Sequence, residues 1–390
     1  MENIWLASAL WIGLALIAAV MQNWVAVSVA LLEIVIGAVA GNLVDLTLTP
    51  WVNYLAGFGA ILLTFLAGAE IDTRVIRRNF GSTMAIGTVG FLAPYIGVLA
   101  YAHFVSGWSW PQAQIAGIAL STTSVAVVYA VMVETGFNQT EIGRIILAAC
   151  FVNDLLTVLA LGLVFANYNF WLVVFVAATA VALWFLPRVT PRFFTKMGQR
   201  VSEPQIKFVL LILFVLGGLA NTAQSEAVLP AYLIGMALAP IFLADKELTH
   251  RIRVITFTVL TPFYFLKAGS LVRAEVIVQA AGLIVVYLAV KMITKFVGIL
   301  PLTRAYRFGR KEGMYTTLMM STGLTFGSIS ALFGLTNGII DERQYTILLT
   351  AVIGSAVVPT LIAQRWFQPE FRLITQTAPE RTVAVPAAGE

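Results

Sequence analysis

The fold class this sequence predicts is an all-α integral membrane protein of about thirteen transmembrane helices, and three observations predict it. Of the 390 residues, 59% are hydrophobic and only 11% are charged, with a mean hydropathy of +0.90, a balance incompatible with a water-soluble globule. Apolar runs of about 18 or more residues recur along nearly the whole chain, the length a helix needs to cross a bilayer, whereas barrel strands would alternate over about ten. Finally, the basic residues are partitioned by loop in a way that fits an odd number of spans.

Taking apolar runs between polar breaks in order, spans fall at roughly 3–20, 24–44, 52–70, 82–103, 111–133, 142–166, 170–187, 206–222, 228–243, 252–271, 274–300, 313–336 and 344–367. The opening Met1–Val20 stretch has no basic leader and no small-residue cleavage site before the next span, so it is expected to stay as the first helix. Residues 1–367 form a single transmembrane domain in this reading. The polar segment 368–390, with Pro379 and Pro386, has no apolar face to bury and is expected to be a disordered cytoplasmic tail with no regulatory domain after it.

Assigning loops alternately to two sides puts nineteen of the 24 Lys and Arg on one side and three, Lys267, Arg273 and Arg343, on the other; the remaining two, Lys291 and Lys295, fall inside span 11. The positive-inside rule then makes the richer side cytoplasmic, with the N-terminus outside, the C-terminus inside and the cell membrane as the location. The formal charge of +5 is thus a topological signal, and no nucleic-acid partner is expected. The lone Cys150 lies in an apolar run and reads as a small packing residue. His103 and His250 lie near span ends without metal-ligand spacing, so neither is given chemistry.

Two spans are interrupted where a helix should be smooth. Span 5 carries Ser121, Thr122, Thr123 and Ser124 at its middle, and span 12 carries Ser321, Thr322, Gly323, Thr325, Gly327 and Ser328. Seven spans separate them, an odd number, so they cross in opposite directions, as in an inverted repeat of spans 4–6 and 11–13. Broken helices of this kind present helix ends and free carbonyls at the midplane, where an ion can be held away from lipid. Close helix packing is the simpler reading of the same small residues.

Asp154 is about the eleventh residue of the run Arg144–Ala166 and therefore lies near the bilayer centre. A charge there costs on the order of 2.5–3.5 kcal/mol even on the lenient insertion scale. Burial favours its protonated form while a dehydrated cation stabilises its charged form, so the same oxygens can hold a proton or a cation in competition. Competition at one site open alternately to two sides is sufficient for coupled exchange. Asn153 offers an uncharged amide oxygen, as a cation ligand or as a partner of the broken helices. Lys295 and Lys291 share a helical face in span 11. Glu33 in span 2 is a further intramembrane carboxylate, and Glu70 and Asp72 at the end of span 3, with Glu134 and Glu141, would make a cation-attracting funnel or simply a solvated loop.

These residues meet a known family. The stretches Leu63–Asp72 (LTFLAGAEID), Ser121–Ala126 (STTSVA), Gly143–Leu155 (GRIILAACFVNDL) and Thr294–Leu300 (TKFVGIL) resemble the NapA- and Kef-type branch of monovalent cation:proton antiporters, over most of the membrane part. The resemblance implies an NhaA/NapA-like fold, with a core of approximately 82–166 and 274–367, and a homodimer working by an elevator-like motion. It also implies that Asp154 is the proton and cation site, with Asn153, Lys295, Thr122, Thr123 and Ser124 around it. Glu33, Lys291, Thr325, Glu70 and Asp72 are accessory candidates. The pair Asn153-Asp154 is similar to that of the electroneutral branch, and span 12 lacks the Arg-Gly-Glu-like element of many members, so Lys295 either pairs with Asp154 or is held neutral. The Kef-type nucleotide-binding tail is absent as well.

The expected function is secondary exchange of H+ for a monovalent cation, Na+ first and K+ or Li+ next, with 1:1 electroneutral stoichiometry, no cofactor, no catalytic residue and the bilayer as partner. A sodium-coupled symporter of a small organic anion is the alternative, although no midplane Arg stands ready for an anion. A membrane enzyme ranks below it, since the short loops hold no cluster of catalytic groups.

Overall fold

The computed structural model describes residues 4–22, 24, 29–44, 46, 48–70, 79–134, 137, 140–165, 169–197, 202–223, 225 and 227–369. Asp72, the basic group Arg74, Arg77 and Arg78, and the expected tail from residue 370 onward lie outside the described residues. Among the described residues the chain is helical with no strand. Helical segments fall on all thirteen expected spans.

Spans 1–3 are α1 (Ile4–Gln22), α2 (Val29–Leu43) and α3 (Pro50–Ala69). Span 4 is α4 (Phe80–Ala100), prolonged by a wide π turn at Tyr101–Val105. Span 5 is two pieces, α5 (Trp110–Ser121) and α6 (Val125–Glu134), and span 6 is α7 (Glu141–Val164). Then come α8 (Phe170–Met197), α9 (Pro204–Thr222) and α10 (Val228–Ala244). Span 10 bends through a π turn, Thr256–Leu260, between α11 (Lys246–Ile255) and α12 (Thr261–Ser270). A short α13 (Ala274–Gln279) precedes α14 (Ala281–Ala305) in span 11; α15 (Arg310–Met320) and α16 (Thr325–Thr336) make span 12, and α17 (Glu342–Ile362) makes span 13.

Helix starts follow local chemistry. Thr140 accepts from Gly143 N at 3.0 Å to open α7, and Asp341 and Gln344 cap α17 reciprocally, at 2.7 and 3.1 Å. One boundary departs from expectation. Span 7 was expected to end at Pro187, yet α8 continues through Pro187 and Pro191 to Met197. Arg188 folds back in the interrupted turn: its guanidinium donates to the Trp184 carbonyl and stacks over the Trp184 ring at 4.5 Å.

Among the described residues, eight helices are long and apolar enough to cross a membrane, and α2, α10 and α16 are shorter apolar helices. Their large exposed side chains, such as Leu6, Trp171, Val176, Val181 and Ile293, are apolar, the inverse of a soluble surface and what a lipid solvent requires.

The helices pack in two groups. Around the broken spans, α4 lies against α5, α7 and α14, while α16 packs on α5 and α17, and α15 on α14. The other group is tied by its two tightest pairs, α3 with α10 and α2 with α12. Both are glycine clamps. A Cβ at Gly235 would stand 2.1 Å from the Phe65 carbonyl oxygen, and one at Gly68 2.3 Å from that of Tyr232. In the second pair, Gly37 meets the Leu266 oxygen at 2.3 Å and Gly269 the Ile34 oxygen at 2.0 Å. An offset of seven spans relates the two pairs, with span 3 corresponding to span 10 and span 2 to span 9. Because backbone meets backbone here, Gly235→Ala is expected to destabilise the protein by about 1–3 kcal/mol. Gly57→Ala in α3, with nothing within 4 Å of its added methyl, is expected to be neutral, and thermal unfolding in detergent compares the two.

At the face carrying the loop between spans 10 and 11, Arg273 pairs with Glu342 at 3.0 Å, both sides about half exposed. The carboxylate holds the Arg273 guanidinium above its ordinary pKa through a hydrogen bond and its charge. Such an exposed pair contributes ~0–1 kcal/mol.

Candidate functional site

The two interruptions meet. Residues 122–124 and 322–324 are non-helical, and Ser124 N donates to the Thr322 carbonyl at 3.0 Å, so the unwound strands are hydrogen-bonded where they cross. All four residues Ser121–Ser124 are buried, as are Ser321 and Thr322. Their hydroxyls turn back onto their own helix ends: Thr122 Oγ1 donates to Ala119 O at 3.1 Å, and Thr322 Oγ1 to Met319 O at 2.8 Å. This satisfies carbonyls that a broken helix leaves open. Thr325 lies just beyond the crossing, as the first residue of α16.

Thr123 is the node of the crossing. Its hydroxyl donates to Met320 O at 2.7 Å, the carbonyl at the end of α15, and accepts from Lys295 Nζ at 2.9 Å. Its backbone N–H donates to Asn153 Oδ1 at 2.9 Å, and Asn153 Nδ2 donates to Ser121 O at 3.3 Å. Asn153 thus acts as a hydrogen-bond partner of the first break, with both ends of its amide engaged. Lys295, for which the sequence left two roles open, is hydrogen-bonded to the break and not to the carboxylate. A cation placed through Thr123 against the C-terminal carbonyls of α5 and α15 also complements the negative ends of those helix dipoles.

Lys291 serves the second break. It is fully buried, like Lys295, and donates to Ser355 Oγ on α17 at 2.8 Å. Ser355 Oγ lies 2.8 Å from Val352 O and 3.3 Å from Gly323 O. A Cβ at residue 323 would stand 2.3 Å from Lys291 Nζ and 3.0 Å from Thr122 Oγ1, so the missing side chain at Gly323 is the space the ammonium uses. The two lysines, one helical turn apart, each attend one break.

Asp154 is 2% exposed, and its Oδ1 is buried without a hydrogen-bond partner among the described residues. Asp154 and Lys295 are close enough to act on each other electrostatically. A buried carboxylate oxygen left open is suited to a proton or a hard monovalent cation, whose ligands are oxygens. Cys150, one turn earlier on α7, packs its Sγ 3.7 Å from Met320 Sδ, a soft contact that fits its expected packing role.

The accessory candidates divide. Glu33 is buried on α2 with an unpartnered Oε2, but its helix packs on α12 and no hydrogen bond joins it to the crossing. Glu70 ends α3 and pairs with Arg253 at 2.5 Å, so its charge is matched locally. Ser355 and Met320 escaped the sequence reading, and Gly323 was read only as part of the break. Ser355 shares its span with Thr346, Thr350 and Thr360 and so did not stand out, whereas Met320 acts through a backbone carbonyl that any residue supplies.

Comparison with known proteins gives a consistent family. The chain is 25% identical to the probable Na(+)/H(+) antiporter 3 of Methanocaldococcus jannaschii over 354 residues, covering 86% of this chain and 88% of that one. It is 22% identical to the Na(+)/H(+)-K(+) antiporter GerN of Bacillus cereus, covering 79% and 81%. In fold, it matches the solved sodium proton antiporter MjNhaP1 from Methanocaldococcus jannaschii with a TM-score of 0.69 at 12% identity, over 93% of this chain and 97% of that one. The profile of the sodium/hydrogen exchanger transmembrane family runs over residues 12–368, from the first helix to the end of the last, and this chain belongs to that family.

Proposed function

We propose that the protein is a secondary antiporter that exchanges H+ for a monovalent cation, Na+ in the first place, at Asp154. The observation that carries this reading is the fully buried, unpartnered Oδ1 of Asp154 beside two crossed helix breaks. Such a group is costly in a membrane unless it is used. In one half-cycle the carboxylate holds a proton; in the other it releases the proton and binds the cation, aided by neighbouring hydroxyl and carbonyl oxygens. In this reading Lys295 keeps both its hydrogen bond to Thr123 and its charge through the two halves. One site alternating between one proton and one cation makes the exchange electroneutral, 1:1.

Access alternates because the group of α4–α7 and α13–α17 moves against α1–α3 and α8–α12. The seven-span correspondence of the glycine clamps supports an inverted repeat that extends to spans 2–3 and 9–10, the symmetry from which two access states arise. The working unit is a homodimer in the cell membrane, N-terminus outside and C-terminus inside, the orientation supported by the distribution of Lys and Arg.

Proteoliposomes loaded with a pH probe test the proposal. External Na+ is expected to drive proton movement, with K+ and Li+ ranked by the same assay, and an imposed membrane potential is expected to leave the equilibrium ratio unchanged. A shift of that ratio with potential would overturn the 1:1 stoichiometry.

A further inference from the structure

Two buried tyrosine hydroxyls bridge the two helix groups, and neither is used by the ion site. Tyr232 on α10 is 0% exposed and donates to the carbonyl of Phe151 at 3.1 Å. Phe151 precedes Asp154 by three residues on α7, and the Tyr232 ring also lies edge-on to Phe326, at the start of α16 just beyond the second break, with centroids 6.1 Å apart. Tyr345 on α17, likewise 0% exposed, reaches the opposite way and donates to the Ala268 carbonyl on α12 at 2.7 Å.

Both bridges are rooted at the glycine clamps. The backbone oxygen of Tyr232 is the atom that Gly68 approaches, and Ala268 is the neighbour of Gly269, which meets Ile34. The anchoring end of each bridge is therefore held by helix pairs with no room to yield, while the other end lies on a helix packed around the crossing. Phe151 offers a mid-helix carbonyl with a second lone pair, and Ala268 a carbonyl in the last turn of α12. A buried hydroxyl pulled from its acceptor loses its only partner, so each bond is either made or broken.

We propose that Tyr232 and Tyr345 are positioning residues that latch the ion-carrying group in the conformation described here. Their hydroxyl bonds break when α7, α16 and α17 move past α10 and α12, so they set the rate of the conformational step and not the affinity for the ion. This rests on the alternating-access reading above.

The test uses full-length protein carrying Tyr232→Phe, Tyr345→Phe or both, substitutions that keep the rings. Tyr287→Phe is the control: its hydroxyl donates to Ser106 at 3.1 Å, inside one helix group. Each latch variant is expected to raise the maximal exchange rate in proteoliposomes roughly two- to tenfold, the range set by one net hydrogen bond, with unchanged cation KM and pH midpoint. Tyr287→Phe is expected to leave all three unchanged.

A second readout does not depend on transport. Cys150 is the chain's single cysteine and is fully buried beside Asp154, so its labelling by a membrane-permeant maleimide reports opening. Labelling is expected to accelerate in the latch variants even in an Asp154→Asn background. Unchanged exchange and labelling would overturn the latch, and so would a shifted pH midpoint or weakened cation KM, which would assign the hydroxyls to the ion. Exchange surviving Asp154→Asn would remove the site assignment while the labelling result still judged the latch.

Discussion

Asp154→Asn is expected to reduce cation-driven proton movement to the rate of protein-free vesicles, while the protein keeps its yield and melting temperature. The substitution is nearly isosteric and removes the group proposed to alternate between neutral and charged. An amide cannot release a proton at any accessible pH, so the exchanged ion has no counterpart. The fold should tolerate it, because Asp154 Oδ1 makes no hydrogen bond that an amide would forfeit, and a neutral group costs less at membrane depth than a charge. Stability can even rise. Exchange with wild-type kinetics in this variant would move the proton site elsewhere, with Glu33 as the next buried carboxylate to examine.

The second large effect is expected at Thr123. Thr123→Val keeps the shape of the side chain but deletes the hydroxyl that accepts from Lys295 and donates to Met320 O. Both partners then lose that hydrogen bond. Leaving a buried carbonyl and a buried ammonium unsatisfied is expected to cost about 2–5 kcal/mol together. Exchange should fall by at least an order of magnitude, because the crossing that presents Asp154 is loosened and Lys295 is free to move onto the carboxylate. Thr123→Ser retains the hydroxyl and is expected to restore most of both properties. Melting curves and vesicle exchange on the two variants distinguish a lost hydroxyl from a lost methyl. Equal behaviour of the Val and Ser variants would contradict the role of the hydroxyl.

Much of this was legible in the residue order, for reasons that lie in the solvent. A bilayer admits no unsatisfied backbone, so apolar length alone marks spans, and the loop bias of Lys and Arg checks their number. A carboxylate at mid-depth is expensive enough to stand out from one sequence, as Asp154 does. The polar interruptions at 121–124 and 321–328 were visible because hydroxyls and glycines are out of place in a lipid-facing helix. Where the cue was one of two equal readings, as for Asn153 and Lys295, composition and spacing had no means of choosing.

Tertiary structure set the hydrogen bonds of these groups. Whether Lys295 meets Asp154 or Thr123 depends on how α14 is seated against the crossing, a matter of contacts between residues 172 positions apart. Gly323 reads as a breaker in sequence, yet its use is the space it leaves for Lys291. Glu70 reads as part of a funnel until Arg253 is found beside it, and Tyr232 and Tyr345 are ordinary aromatic residues until their hydroxyls are seen to join two helix groups. Sequence by itself determined the solvent of this protein, the all-helical class of its fold and the mid-depth carboxylate Asp154 as a costly charge, because each follows from local transfer free energies. Only the folded chain decided which partners surround Asp154, because hydrogen bonds among buried groups are set by distance and direction, and neither is written along a single helix.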